Sequence, residues 1–207
     1  MSRIVTPALV ALIVAGSLAI AAPARAESPK QTIQRLNNQI NKLLRQKVKK
    51  GSAAEKKMKA DVTKAVNSLL DFEELARIAL HKHWKERSEK ERTEFVGILR
   101  DLIERNYVKQ LRSNLDYKLE YRGEKTAGDK GQVDTAVSVT KKGRVTEVLI
   151  TYMMKKGKTG SWVVYDVVTD EVSIANNYRS QFNRIIRKES YDALVKKMKR
   201  KLDETKS

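Results

Sequence analysis

Cysteine is absent from this chain, histidine occurs twice, and the three prolines all lie within the first 29 of its 207 residues. Without cysteine there is no disulfide, no thiolate metal site and no thiol nucleophile. With Pro7, Pro23 and Pro29 at the front, nothing from Lys30 onward removes a backbone donor, so long helices and regular strands are free to form. The histidines are His81 and His83. On a helix, residues two apart point about 200° away from each other, so this pair shares no metal, and a solvated helix end is the reading. Neither a phosphate-cradling glycine loop nor a G-x-S-x-G or H-E-x-x-H pattern occurs, so the sequence does not support an enzyme. Aromatic residues make up 6% of the chain, with no arrangement suited to stacking nucleic-acid bases.

The front of the chain has a layout of its own. Met1-Ser2-Arg3 supplies a positive start, Ile4 to Ala22 carries no charge, and Ala24-Arg25-Ala26 offers an A-x-A cleavage site. This three-part pattern predicts a cleavable secretory signal over residues 1–26, export to the periplasm, and one mature domain over residues 27–207. An uncleaved membrane anchor is the competing reading for such an apolar run; Pro23 and the small residues before Glu27 favour cleavage. With no cysteine after the site, a lipid anchor there is excluded.

Hydrophobic residues reach 41% of the chain, enough for a packed core, while the formal net charge is +18. In an exported protein such charge points less to nucleic acid than to anionic lipid headgroups or an acidic partner. Basic clusters lie at Arg45–Lys50, Lys56–Lys59 and Lys196–Lys201. Each alone is equally a solvated helix face.

Apolar spacing of three and four residues predicts a helix through Ile33, Leu36, Ile40, Leu44 and Val48, ending near Gly51. A second helix carries Met58, Val62, Val66 and Leu69, and a third runs from Asp71 towards Trp84. Ser88 with Glu91 forms a capping box that opens the longest helix, striped by Phe95, Leu99, Leu102, Ile103 and Tyr107. The period then changes to two. Tyr117, Leu119 and Tyr121 alternate with charges; Val133, Val137 and Val139 mark a second strand, Val145–Met154 a third and Trp162–Val168 a fourth. Gly128, Gly131, Gly143, Gly157 and Gly160 read as punctuation between them. Helices return at Ser173 and Ser190. The fold class is α+β: a curved antiparallel four-stranded sheet with helices packed on it. The third and fourth strands are apolar on both faces, which means burial on both sides or one face lining a cavity. Asp166, alone among apolar neighbours, is read as accepting hydrogen bonds from a nearby loop.

The ordered set Asp71-Phe72-Glu73-Glu74-Leu75 through Leu80, then Trp84, Phe95 and Tyr107, then Trp162-Val163-Val164-Tyr165-Asp166-Val167-Val168, Val172-Ser173 and Asn177-Tyr178-Arg179-Ser180-Gln181-Phe182, resembles the MlaC-type (toluene-tolerance) periplasmic phospholipid-binding proteins. Two positions depart from that pattern: His81 and Glu171 stand where the family commonly has glycine. The resemblance implies a soluble carrier, without cofactor or metal, that takes phospholipid between an outer-membrane lipoprotein complex and an inner-membrane MCE-domain/ABC transporter. It also implies helices and a bent sheet enclosing a hydrophobic lipid cavity. Some relatives occur beside hopanoid-synthesis genes, so the cargo class extends to other lipids. On this reading Val148, Ile150, Tyr152, Met154, Trp162 and Val164 of the sheet, with Phe72, Leu99, Ile103 and Tyr107 of the helices, line the cavity. Trp84, Tyr165, Asp166, Ser173, Tyr178, Arg179 and Phe182 carry the family motif, and of these Tyr178, Arg179 and Phe182 either brace the pocket or touch lipid. A basic adaptor that grips a membrane or a protein, without enclosed lipid, is the alternative.

Overall fold

The computed structural model describes residues 26–111, 117–141 and 144–204, except for the side chains of residues 106–111 and 139–141. The expected signal segment up to Arg25, Gly143 and the side chains of Tyr107 and Val139 therefore lie outside the described residues. The elements run α1 (Pro29–Leu44), α2 (Ala53–Leu69), α3 (Phe72–Leu80), α4 (Lys82–Lys85), α5 (Glu89–Leu111), β1 (Tyr117–Ala127), β2 (Lys130–Lys141), β3 (Arg144–Lys156), β4 (Trp162–Thr169), β5 (Val172–Ser173), α6 (Ile174–Lys188) and α7 (Tyr191–Glu204).

Helix starts follow the sequence signals. Ser28 caps α1 in a full capping box with Gln31, and Pro29 occupies the first turn, where its missing N–H costs nothing. Ser88 and Glu91 make the anticipated reciprocal pair: the Ser88 N–H donates to Glu91 Oε2 at 2.7 Å, and the Glu91 N–H donates to Ser88 Oγ at 3.3 Å. The anticipated single helix from Asp71 to Trp84 is two helices. His81 breaks it with φ 49° and ψ −115°, where an L-residue crowds its own backbone.

The sheet is a curved antiparallel meander in the order β1-β2-β3-β4-β5, one strand more than the four expected. The extra strand has two residues, too few for periodicity to show; it pairs Val172 with Thr169 and Ser173 with Val168. Asp170 and Glu171, both at positive φ (46° and 68°), form the tight turn before it. Gly131 is no turn glycine. It sits inside β2 opposite Met154, and an added Cβ would lie 2.8 Å from Pro29 Cγ and 3.1 Å from the Trp162 ring. Its missing side chain is what lets the start of α1 lie down on the sheet.

Three hydrophobic clusters result. α3, α5, α6 and α7 form a helical core around Leu80, Phe95, Leu99, Phe182 and Leu194. The Phe95 and Phe182 rings meet edge to face at 5.6 Å, and Tyr178 stacks on Phe182 at 5.3 Å. α1 and α2 pair through Leu36, Ile40, Leu44, Val62 and Val66. The third cluster places Ile33 of α1 against Val133, Met154, Trp162 and Val164 on one face of the sheet, called the inner face below. Leu69 and Leu70, at the end of α2, pack against both of the last two.

Candidate functional site

Strand register decides which side chains share the inner face, because directly paired residues point the same way. Leu119 pairs with Val137 and Val137 with Val148; Tyr121 pairs with Thr135 and Thr135 with Ile150; Val133 pairs with Tyr152 and Tyr152 with Val167. Gly131 pairs with Met154 and Met154 with Val164, which completes four rungs, apolar but for Thr135 and for Glu124 opposite Val133 on β1.

Burial along these rungs is graded. At the Gly131 end Val133, Met154 and Val164 are sealed and Trp162 is nearly so. Tyr121, Tyr152 and Val167 are half-buried against that cluster. Beyond them Leu119, Val137, Val148 and Ile150 are also half-buried. At the rim Val172 of β5 is 58% exposed, facing the same way as its partner Thr169 and, through it, Ile150. The inner face beside α1 is thus a largely apolar trough, buried at the Gly131 end and less covered towards Val148 and Val172, with Thr135, Thr169 and the exposed Glu124 as its polar members.

α1 forms one wall. The Tyr117 hydroxyl donates to Asn37 Oδ1 at 3.1 Å and Asn41 Oδ1 at 2.7 Å, fastening the helix over the start of β1. At the other end the Lys30 N–H donates to Glu124 Oε1 at 3.0 Å, and the Lys30 ammonium lies 5.9 Å from the Tyr121 ring centre. Burial pushes the Tyr121 hydroxyl above its ordinary pKa, so it stays neutral well past physiological pH.

The other edge of the trough is fastened by a buried carboxylate. Asp166 is buried, and its Oδ1 accepts from the Val167 N–H and the Ala175 N–H, each at 2.9 Å, while its Oδ2 accepts from the Ser173 hydroxyl at 2.5 Å. Ser173 in turn caps α6 by accepting from the Asn176 N–H at 3.0 Å. The carboxylate therefore ties β4 to the first turn of α6, the hydrogen-bond-acceptor role expected of it. Tyr165, beside it, has its hydroxyl pKa raised by burial and by the Asp166 charge.

Of the ten expected lining residues, six fall in two different clusters. Met154, Trp162 and Val164 lie at the closed end of the trough, Tyr152 beside them, and Val148 and Ile150 on the open floor. Leu99 and Ile103 belong to the helical core, packed with α3, α6 and α7 rather than on the sheet. Phe72 is buried at the start of α3, and the side chain of Tyr107 lies outside the described residues. Among the motif residues, Phe182 is in the helical core with Tyr178 and Trp84 packed on it, and Arg179 is exposed. Leu119, Tyr121 and Val137 were not anticipated as trough residues, although their alternation is plain in the sequence; only the register of β1 and β2 brings them beside Val148 and Ile150.

The histidine reading needs correction. His83 is not a solvated helix end: it is buried, with Nε2 3.1 Å from Asn183 Oδ1 on α6 and Nδ1 3.4 Å from Glu86. It joins α4 to α6. No group of three or more His, Cys, Asp or Glu suited to a metal occurs among the described residues, and none of their helices is long and apolar enough to cross a membrane.

Comparison with known proteins places these features in a family. A curated relative, the intermembrane phospholipid transport system binding protein MlaC of Haemophilus influenzae, is 29% identical over 120 residues, 58% of this chain and 56% of that protein. The alignment thus spans little more than half the length of that relative. A solved structure with the same fold is the phospholipid-binding protein of Ralstonia solanacearum in complex with a phospholipid. It superposes with a TM-score of 0.72 at 18% identity, covering 87% of this chain and 99% of that one. Residues 34–200 match the family described as MlaC protein, so the chain belongs to the MlaC family.

Proposed function

We propose that this protein is a soluble carrier of phospholipid, with the acyl chains lying along the inner-face trough and the headgroup at its open end. The observation that carries this reading is the largely apolar face from Trp162 and Met154 out to Val148, Ile150 and Val172, buried at the first end and less covered at the other. The Haemophilus and Ralstonia proteins, one named for intermembrane phospholipid transport and the other solved with a phospholipid, support the same class of cargo.

The energetics set what the trough must do. Exposing a methylene to water costs about 0.8 kcal/mol, so a chain of roughly 15 costs on the order of 12 kcal/mol. Free diffusion of a lipid across an aqueous gap is therefore negligible. A carrier must replace most of that apolar contact and still release its load. A floor of half-buried valine, isoleucine and leucine, without a buried charge among them, suits that balance. Recognition then rests on the tails, and headgroup discrimination is weak.

The working place is the periplasm. The exchange partners are an inner-membrane MCE-domain/ABC transporter and an outer-membrane lipoprotein complex. No catalysis is involved.

The test is organic extraction of purified mature protein followed by mass spectrometry, with Ile150→Trp as the comparison. The native protein is expected to yield phospholipid in near-stoichiometric amount. The variant, with an indole laid across the floor, is expected to carry several-fold less while melting within a few degrees of the native protein. Recovery of no lipid from repeated preparations would overturn the reading; recovery of a polycyclic lipid instead would reassign the cargo.

A further inference from the structure

The three basic stretches are not equivalent once folded. Those at Arg45–Lys50 and Lys56–Lys59 merge into one tip, the turn joining α1 to α2. Between Lys42 and Lys59 there are eight lysines and arginines and one acid, Glu55. That acid is buried, accepting from the Gly51 N–H at 2.5 Å and pairing with Lys59 at 3.5 Å, while Lys57 pairs with Asp61 at 3.0 Å, so the charge that stands out is on the turn itself. Arg45, Lys47, Lys49 and Lys50 are all exposed. The α7 stretch is instead neutralised on the spot, with Lys197 paired to Glu189, Lys199 to Glu94 at 2.6 Å and Arg200 to Glu204 at 3.7 Å.

The tip also has a defined place relative to the trough. α1 begins over Gly131 and Trp162, at the closed end, and passes Tyr117 through Asn37 and Asn41. Tyr117 pairs with Val139, near the far end of β2, where the ladder finishes at Lys141 and Arg144. The helix therefore runs from the sealed end to the open end, and its basic turn projects beyond the rung of Leu119, Val137 and Val148.

We propose that the α1–α2 turn is a docking surface for anionic bilayers, which sets the open end of the trough against the headgroup layer. The occupant is a lipid surface rather than an acidic protein, because the positive charge is dense, borne mainly by flexible lysines, and without fixed acceptor geometry. Those are properties suited to a diffuse negative sheet. The docking role rests on the reading of the trough as the lipid site, but its test is separate.

The experiment is co-sedimentation of the mature protein with vesicles of phosphatidylcholine alone or with about 30% phosphatidylglycerol, at about 50 mM and 500 mM salt. The comparison is Lys47→Gln/Lys49→Gln/Lys50→Gln against Lys196→Gln/Lys199→Gln/Arg200→Gln, which removes the same charge from α7. Binding is expected only to the anionic vesicles and only at low salt. The tip variant should lose partitioning on the order of 100-fold and the α7 variant no more than a few-fold. Equal loss in both variants, equal binding to neutral vesicles, or no binding to either would overturn the proposal. Lipid extracted from the tip variant should match the native amount. Docking that behaves as expected in a protein yielding no lipid would leave this surface standing and remove the carrier reading, and the converse result would do the opposite.

Discussion

His81 offers the sharpest test of the physical reasoning. With φ 49° and ψ −115° it occupies a mirror-image region in which a Cβ crowds the neighbouring peptide, at a cost of about 1–3 kcal/mol for a non-glycine residue. Its side chain is exposed and makes no capping hydrogen bond to α4, so nothing local offsets that cost. His81→Gly removes the crowding. It also loosens the unfolded chain, which opposes the gain by about 0.5–1 kcal/mol. The net expectation is a stabilisation of roughly 0.5–2 kcal/mol, or a rise in melting temperature of about 2–6 °C for a domain of this size. Two controls separate strain from composition. His81→Ala keeps the Cβ and should melt within about 1 °C of the native protein, whereas Lys82→Gly, on the exposed first residue of α4, should lower stability by about 0.5–1 kcal/mol. Circular dichroism melts and urea titrations of the four proteins provide the comparison. If the glycine variant is no more stable than the alanine variant, the backbone at residue 81 is not strained and the explanation for the α3–α4 break fails.

Asp166→Ala strands a buried Ala175 N–H and the Ser173 hydroxyl, so urea titration should show a loss of about 2–4 kcal/mol, against about 1–2 kcal/mol for Ser173→Ala, which removes the cap and one of the carboxylate's three hydrogen bonds. Gly131→Ala drives a methyl into Pro29 and should cost about 1–3 kcal/mol, with hydrogen exchange accelerated in α1 rather than in β2. The Tyr191 hydroxyl, desolvated and near the Glu91 carboxylate, has its pKa pushed up to about 12. Since the unfolded chain ionises near pH 10, the tyrosine's contribution is intact below about pH 10 and is lost as pH rises towards 12. Tyr191→Phe should flatten that alkaline decline in stability, and an unchanged slope would refute the shift.

Much of this architecture was legible because the dominant signals are local. The capping box at Ser88 and the switch from helical to alternating period at Tyr117 each depend on a few neighbouring residues. What escaped depended on partners distant in sequence. Gly131 carries the same letter as a turn glycine, and only the arrival of Pro29 shows why it is bare. His83 sits in a polar run, yet Asn183, a hundred residues away, buries it. Leu99 and Ile103 have an apolar stripe that fits a sheet or another helix equally well, and the structure gives them to helices. The break at His81 was hidden because the residue there is not the glycine that the backbone favours. On the inner face, alternation picks out Val148, Ile150 and Tyr152 of β3, whereas which residues of β1 and β2 lie beside them depends on the pairing register.

The asymmetry of the trough's two walls has a mechanical outcome. On one side a single carboxylate locks β4 and α6 into a unit. On the other, α1 is held by a tyrosine hydroxyl, one contact with Glu124, the fit of Pro29 over a glycine and the burial of Ile33 among Val133, Met154, Trp162 and Val164. On the carrier reading proposed above, the contacts that hold α1 are the ones whose loosening widens the trough, so substitutions at Asn37 or Asn41 are expected to change which tails it accepts.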